Sequence, residues 1–135
     1  MKDALTVIIL VVEDEVLIQT VLEDALIEGG YAVHKAFSGD EALRLLDQKG
    51  DEKFSALITD INLGSKVTGW DVARHAREIY PQIPVVYTTT ANADEWAANG
   101  VPKSVLLTKP FASAQVVAAV SQLLNEASSV QSAEG

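Results

Sequence analysis

Apolar and polar residues are arranged along this chain in blocks. "TVIILVV" (Thr6 to Val12) is nearly all β-branched and apolar, the composition of a parallel strand covered on both faces. In "EVLIQTVLEDALIEGG" the residues Leu17, Val21, Leu22 and Ala25 recur at helical spacing, and Gly29-Gly30 closes the pattern as a helix C-terminus does. "YAVHKAF" (Tyr31 to Phe37) alternates like a strand. "SGDEALRLLDQKG" opens with Ser38, carries Glu41 three residues later in the manner of a capping box, and presents Ala42, Leu45 and Leu46 as a stripe that Gly50 ends. "FSALITD" (Phe54 to Asp60) is a buried-looking strand that stops on an acid. After the loop "INLGSKVTG", "WDVARHAREIY" is helical up to Pro81. "IPVVYTTT" is a fourth strand, "NADEWAANG" a short helix closed by Gly100, "SVLLTKPF" a fifth strand, and "ASAQVVAAVSQLLNEA" a last helix. The remainder, "SSVQSAEG", is small and polar.

Five strands alternating with five helices predict an α/β fold, a doubly wound five-stranded parallel sheet with right-handed crossovers and helices on both faces. With 135 residues the chain suits one domain. We assign residues 1–127 to it and expect 128–135 to form a disordered tail. The composition is 48% apolar, enough for one core, and the net charge of −9 argues against nonspecific binding to nucleic acid or to an anionic membrane. There is no cysteine, hence no disulfide framework and no thiolate metal site. No apolar run approaches the ~18 residues of a membrane span. The first strand could imitate a signal sequence, but only Lys2 precedes it and no small-residue cleavage site follows. A soluble, cytoplasmic protein is expected.

In open parallel sheets ligands sit at the carboxyl ends of the strands. Here those ends carry Glu13, Asp14 and Glu15 (first strand), Asp60 (third), Thr88, Thr89 and Thr90 (fourth), and Thr108, Lys109 and Pro110 (fifth). Converging carboxylates repel one another unless a cation neutralises them, and Mg²⁺ is the usual hard cation beside phosphate. An aspartate can itself accept a phosphoryl group, while a metal ion, a lysine and a hydroxyl stabilise the charge that develops. The set is chemically complete for phosphorylation of a carboxylate.

At these residues the chain resembles the receiver domain of two-component response regulators. "ILVVEDE", "ALITDINL", "PVVYTTTA" and "LLTKPF" occur in that family's order and at about its spacing, with Gly69 after the Asp60 loop, over roughly Thr6 to Glu126. The resemblance implies strand order 2-1-3-4-5 and a stand-alone, single-domain regulator. Its phosphoacceptor would be Asp60. Glu13 and Asp14 would place Mg²⁺ together with Asp60 and the backbone carbonyl of Asn62. Lys109 would pair with the phosphoryl group and precede a cis bond to Pro110. The phosphoryl donor would be a histidine kinase or phosphotransfer protein, the output a protein–protein contact or the draining of phosphate from a kinase, and the only chemistry that of Asp60 itself.

The sequence departs from the family in three places. The loop after Asp60 lacks a proline four residues on and is one residue longer before Gly69. Leu106 stands where an aromatic residue is common. The threonine run blurs the register: counting from Pro84, Thr89 matches the switch hydroxyl, and Thr90 followed by Ala91 is the competing register. Glu15 reads as a solvated acid, His34 and His75 as surface or packing residues, Trp70 and Trp96 as packing anchors. A haloacid-dehalogenase-type phosphatase would also use an aspartate, a hydroxyl and a lysine. It requires an acid two residues after the nucleophile, where Asn62 stands, and has its nucleophile on the first strand. A flavodoxin-like carrier would need a hydroxyl- and glycine-rich phosphate loop after the first strand, where three acids lie.

Overall fold

The structure, a computed structural model, describes residues 6–48, 53–90 and 93–134. Strands and helices alternate throughout: β1 (Ile8–Val12), α1 (Val16–Glu28), β2 (Ala32–Ala36), α2 (Gly39–Asp47), β3 (Ala56–Asp60), α3 (Gly69–Ile79), β4 (Val85–Thr89), α4 (Ala93–Asn99), β5 (Ser104–Thr108) and α5 (Ser113–Glu134). The strands form one parallel sheet in the order β2-β1-β3-β4-β5. That is the doubly wound fold the blocks predict. The order reverses between β1 and β3, so the connections leaving these strands diverge and open a crevice at their carboxyl ends.

Every residue of β1, β3 and β4 is buried, which explains their unbroken apolar runs. Alternate residues feed two cores. Leu10, Val12, Leu57, Val85 and Tyr87 pack with Ala42 and Leu46 of α2 and Val72, Ala73 and Ala76 of α3. Ile9, Val11, Ile58 and Val86 pack with Leu22 and Leu26 of α1 and Val116 and Val120 of α5. No helix among the described residues is long and apolar enough to cross a membrane.

The helix ends follow local chemistry. At α2 the Ser38 hydroxyl accepts from the Glu41 amide at 3.1 Å, and the Glu41 carboxylate accepts from the amide of Phe37, one residue earlier than a strict capping box, at 2.7 Å. Gly50, read as the end of this helix, lies outside the described residues. A complete capping box stands instead at α3, between Thr68 and Asp71. The chain leaves α1 through Gly30, whose φ of 97° suits a residue without a side chain.

Two expectations are corrected. The buried side of α1 carries Gln19, Leu22 and Leu26, whereas Leu17 and Val21 are 82% and 54% exposed. The helix is apolar at so many positions that periodicity does not fix which face meets the sheet. The stretch 128–135, expected to be disordered, is helical as far as Glu134. It contains neither glycine nor proline before Gly135, so nothing in it stops the helical ladder. Gly135 itself lies outside the described residues.

Candidate functional site

β1 runs straight into Glu13, which is 1% exposed although it is an acid, and then into exposed Asp14 and Glu15 before α1 begins. The acids therefore precede the helix, and none lies in its first turn. Asp60 closes β3, in register with Thr88 of β4. Thr89 closes β4 and is fully buried, while Thr90 is exposed. β5 pairs with β4 up to Thr89 and Thr108, and the amide of Lys109 donates to the carbonyl of Thr89 at 2.6 Å. The Lys109-Pro110 peptide bond is cis, as the resemblance implies.

These placements bring the predicted groups together. Lys109 Nζ donates to Glu13 Oε1 at 2.9 Å and to Asp60 Oδ2 at 3.2 Å. Oxygens of Glu13, Asp14 and Asp60 lie within 4.8 Å of one another. Burial pushes the Glu13 carboxyl up from 4.5 to about 7, against the hydrogen bond from Lys109 that holds it down. Burial also raises Asp60, opposed by the charge of Lys109 and helped by that of Asp14. Burial alone would depress the Lys109 ammonium, but its bond to Glu13 and the charge of Asp60 hold it above its usual value. One ammonium thus serves two buried carboxylates with a third beside them. The surplus negative charge, offered as oxygen ligands on a partly open cleft, is the donor set that suits a hard divalent cation.

Asn62 stands exposed in the loop after Asp60, between buried Ile61 and Leu63. That loop returns to its own start, where the Gly69 amide donates to the Ile61 carbonyl at 2.8 Å. A Cβ on Gly69 would overlap the Asp60 carbonyl oxygen, so the glycine is required by close approach. Glu15, read as a solvated acid, remains exposed yet reaches 3.8 Å from Lys109. His34 packs edge-on against Phe54, and His75 pairs with Asp47 and Glu78. Trp70 and Trp96 pack against the core.

One supporting residue escaped the sequence reading. The Gln19 amide, 1% exposed, donates to the carbonyls of Val11, Ala36 and Glu13 at 3.1, 3.0 and 3.4 Å, tying together the ends of β1 and β2 behind the cleft. A lone glutamine within a strongly apolar helix was the available signal.

A family model for the response regulator receiver domain matches residues 9–121. The crystal structure of a response regulator receiver protein from Sinorhizobium medicae WSM419 is similar at 42% identity and a TM-score of 0.87, covering 93% of this chain and 99% of that one. The transcriptional regulatory protein CusR of Escherichia coli (strain K12) is 32% identical over 124 residues, 90% of this chain and 53% of CusR. Sensor kinase CckA of Brucella abortus (strain 2308) is 30% identical over 120 residues, 87% of this chain but 12% of the kinase. The chain thus spans about half of the first of these two curated relatives and a small part of the second.

Proposed function

The chain belongs to the response regulator receiver domain family, and from that premise we propose that it is a cytoplasmic phosphorylation switch of a two-component phosphorelay, with Asp60 as its phosphoacceptor. The observation that carries this reading is the contact of Lys109 Nζ with both Glu13 and Asp60, at 2.9 and 3.2 Å, beside a third carboxylate. A sheet needs no such cluster for its stability, since burying carboxylates costs free energy.

In the transfer, a carboxylate oxygen of Asp60 attacks the phosphorus of a phosphohistidine on a histidine kinase or phosphotransfer protein. The new P–O bond forms as the P–N bond breaks, and the electron pair leaves on the imidazole nitrogen. Glu13, Asp14, Asp60 and the Asn62 carbonyl would hold Mg²⁺, which when bound neutralises charge on the phosphoryl oxygens. Lys109 is close enough to Asp60 to exchange its carboxylate contact for a phosphoryl oxygen. Thr89, at the end of β4 and bonded through its carbonyl to the Lys109 amide, supplies the hydroxyl that follows the phosphoryl group; Thr90 is the alternative. Output is by contact with another protein, or by withdrawal of phosphate from the donor. A sensor kinase and a transcriptional regulator are both among the relatives, so similarity alone selects neither partner.

The protein turns over no external substrate in this reading. A dehalogenase-type phosphatase would need an acid where Asn62 stands. The test is incubation with acetyl phosphate, with and without Mg²⁺, beside an assay with a generic phosphate ester. We expect a phosphorylated protein only with Mg²⁺ and no ester turnover. Ester hydrolysis that persists through purification would overturn the reading.

A further inference from the structure

Tyr87 lies two residues before Thr89 on β4, therefore on the same face of the sheet. It is fully buried, and its register partners are Thr59, the residue before Asp60, and Leu106 of β5. β5 contributes no aromatic side chain of its own. Around Tyr87 the structure forms a continuous chain of contacts. At one end the Asp60 carbonyl abuts Gly69, whose neighbour Trp70 packs against the Tyr87 ring at a tilt of 58°, with centroids 4.8 Å apart. At the other, the Tyr87 hydroxyl accepts from the Val101 amide at 3.1 Å, just beyond α4. The Val101 carbonyl accepts from Ser104 Oγ at 2.7 Å, and Ser104 Oγ accepts from Trp96 Nε1 on α4 at 2.9 Å.

We propose that Tyr87 is a positioning residue that couples the state of Asp60 to the carboxyl end of α4, through Trp70 on one side and the Val101 amide on the other. The ring is held from α3, and the hydroxyl holds the α4–β5 connection, so a shift at the Asp60 loop reaches α4 through the buried groups Trp70, Tyr87 and Val101. The inference rests on Asp60 being the phosphoacceptor, and its test separates the two. Amide hydrogen exchange over residues 93–104 is measured before and after treatment with acetyl phosphate and Mg²⁺, in the wild type, Tyr87→Phe and Ser104→Ala, with Asp60 occupancy read by intact mass.

Tyr87→Phe keeps the ring and removes one hydroxyl. We expect it to reach wild-type occupancy while its phosphorylation-dependent change in exchange shrinks about threefold or more. Ser104→Ala, which cuts the chain one link later, keeps the change at Val101 and loses it over residues 93–99. Trp70→Phe is a third variant, measured in the same way; it leaves a smaller aromatic ring against Tyr87 and should give an intermediate loss. A purely structural tyrosine would raise exchange equally in both states and leave the difference intact. That result, at equal occupancy, overturns the proposal. Absence of phosphorylation in the wild type would instead remove the reading of Asp60 on which it stands, and mass alone reports that.

Discussion

Midway along the sheet, Ile9, Leu10, Leu57, Ile58, Val85 and Val86 are withdrawn from solvent into two apolar cores. A few residues further along the same strands, Glu13, Thr59, Asp60, Thr88 and Thr89 are withdrawn almost as completely. The two regions share strands, register and burial, and differ in chemistry. In the first, burial stabilises the fold by about 1.5–3 kcal/mol for each large aliphatic side chain. In the second, burial shifts both carboxyls toward their neutral forms and leaves one lysine between them. The body of the sheet is explained by folding. Its carboxyl edge carries a cost that folding does not explain, and the phosphorylation chemistry proposed for it does.

Variants can set the two regions against each other. The largest effect is expected where they meet. Gly69→Ala drives a methyl into the Asp60 carbonyl, a backbone group that cannot swing aside as a side chain would, and should destabilise the protein by about 4 kcal/mol or more in chemical denaturation. A loss below about 1 kcal/mol would mean the loop is not pinned to the site. Next comes the body, read within one helix: Leu22→Ala, at a buried position, should cost about 2–5 kcal/mol, and Leu17→Ala, at an exposed one, less than about 0.5 kcal/mol. Equal costs would reverse the assignment of the α1 faces.

At the edge the sign should invert. Asp60→Asn keeps the volume and removes a carboxylate whose ionised form the fold disfavours, so in metal-free buffer at neutral pH it should stabilise by about 1 kcal/mol. A loss of similar size would show that the Lys109 contact outweighs burial. The smallest effect lies at the partly exposed His75 of α3, outside both sets of residues. His75 holds Asp47 at 2.6 Å and Glu78 at 3.1 Å, and its pKa is raised chiefly by the bond to Asp47. A raised folded pKa means that its contribution is complete below the unfolded value of 6.5 and is lost as pH rises through the folded value. His75→Gln should therefore cost about 0.5 kcal/mol at pH 6 and nothing at pH 9. A pH-independent cost would exclude the ion pairs.

The sequence made the edge more legible than some of the body. Continuous apolar runs marked the strands, because a strand covered on both faces has no polar side to interrupt it, and each run stopped on its functional residue. The positions of Asp60, Glu13, Asp14 and Lys109 at the strand ends are therefore legible in the sequence. The orientation of α1 could not be read, since "VLIQTVLEDALIE" offers apolar residues on nearly every side and the sheet decides which are covered. Gln19 was hidden for the same reason. The Thr68 capping box was missed because its partner is an aspartate rather than the commoner glutamate or glutamine. The threonine register is narrowed rather than closed: Thr88 sits opposite Asp60, Thr89 is buried at the strand end and Thr90 is exposed.

The central claim is that Asp60 accepts a phosphoryl group. Intact mass after acetyl phosphate and Mg²⁺ treatment, on the wild type and Asp60→Asn side by side, tests it most directly. The account predicts a mass increase of one phosphoryl group in the wild type and none in the variant; an equal increase in both would contradict it.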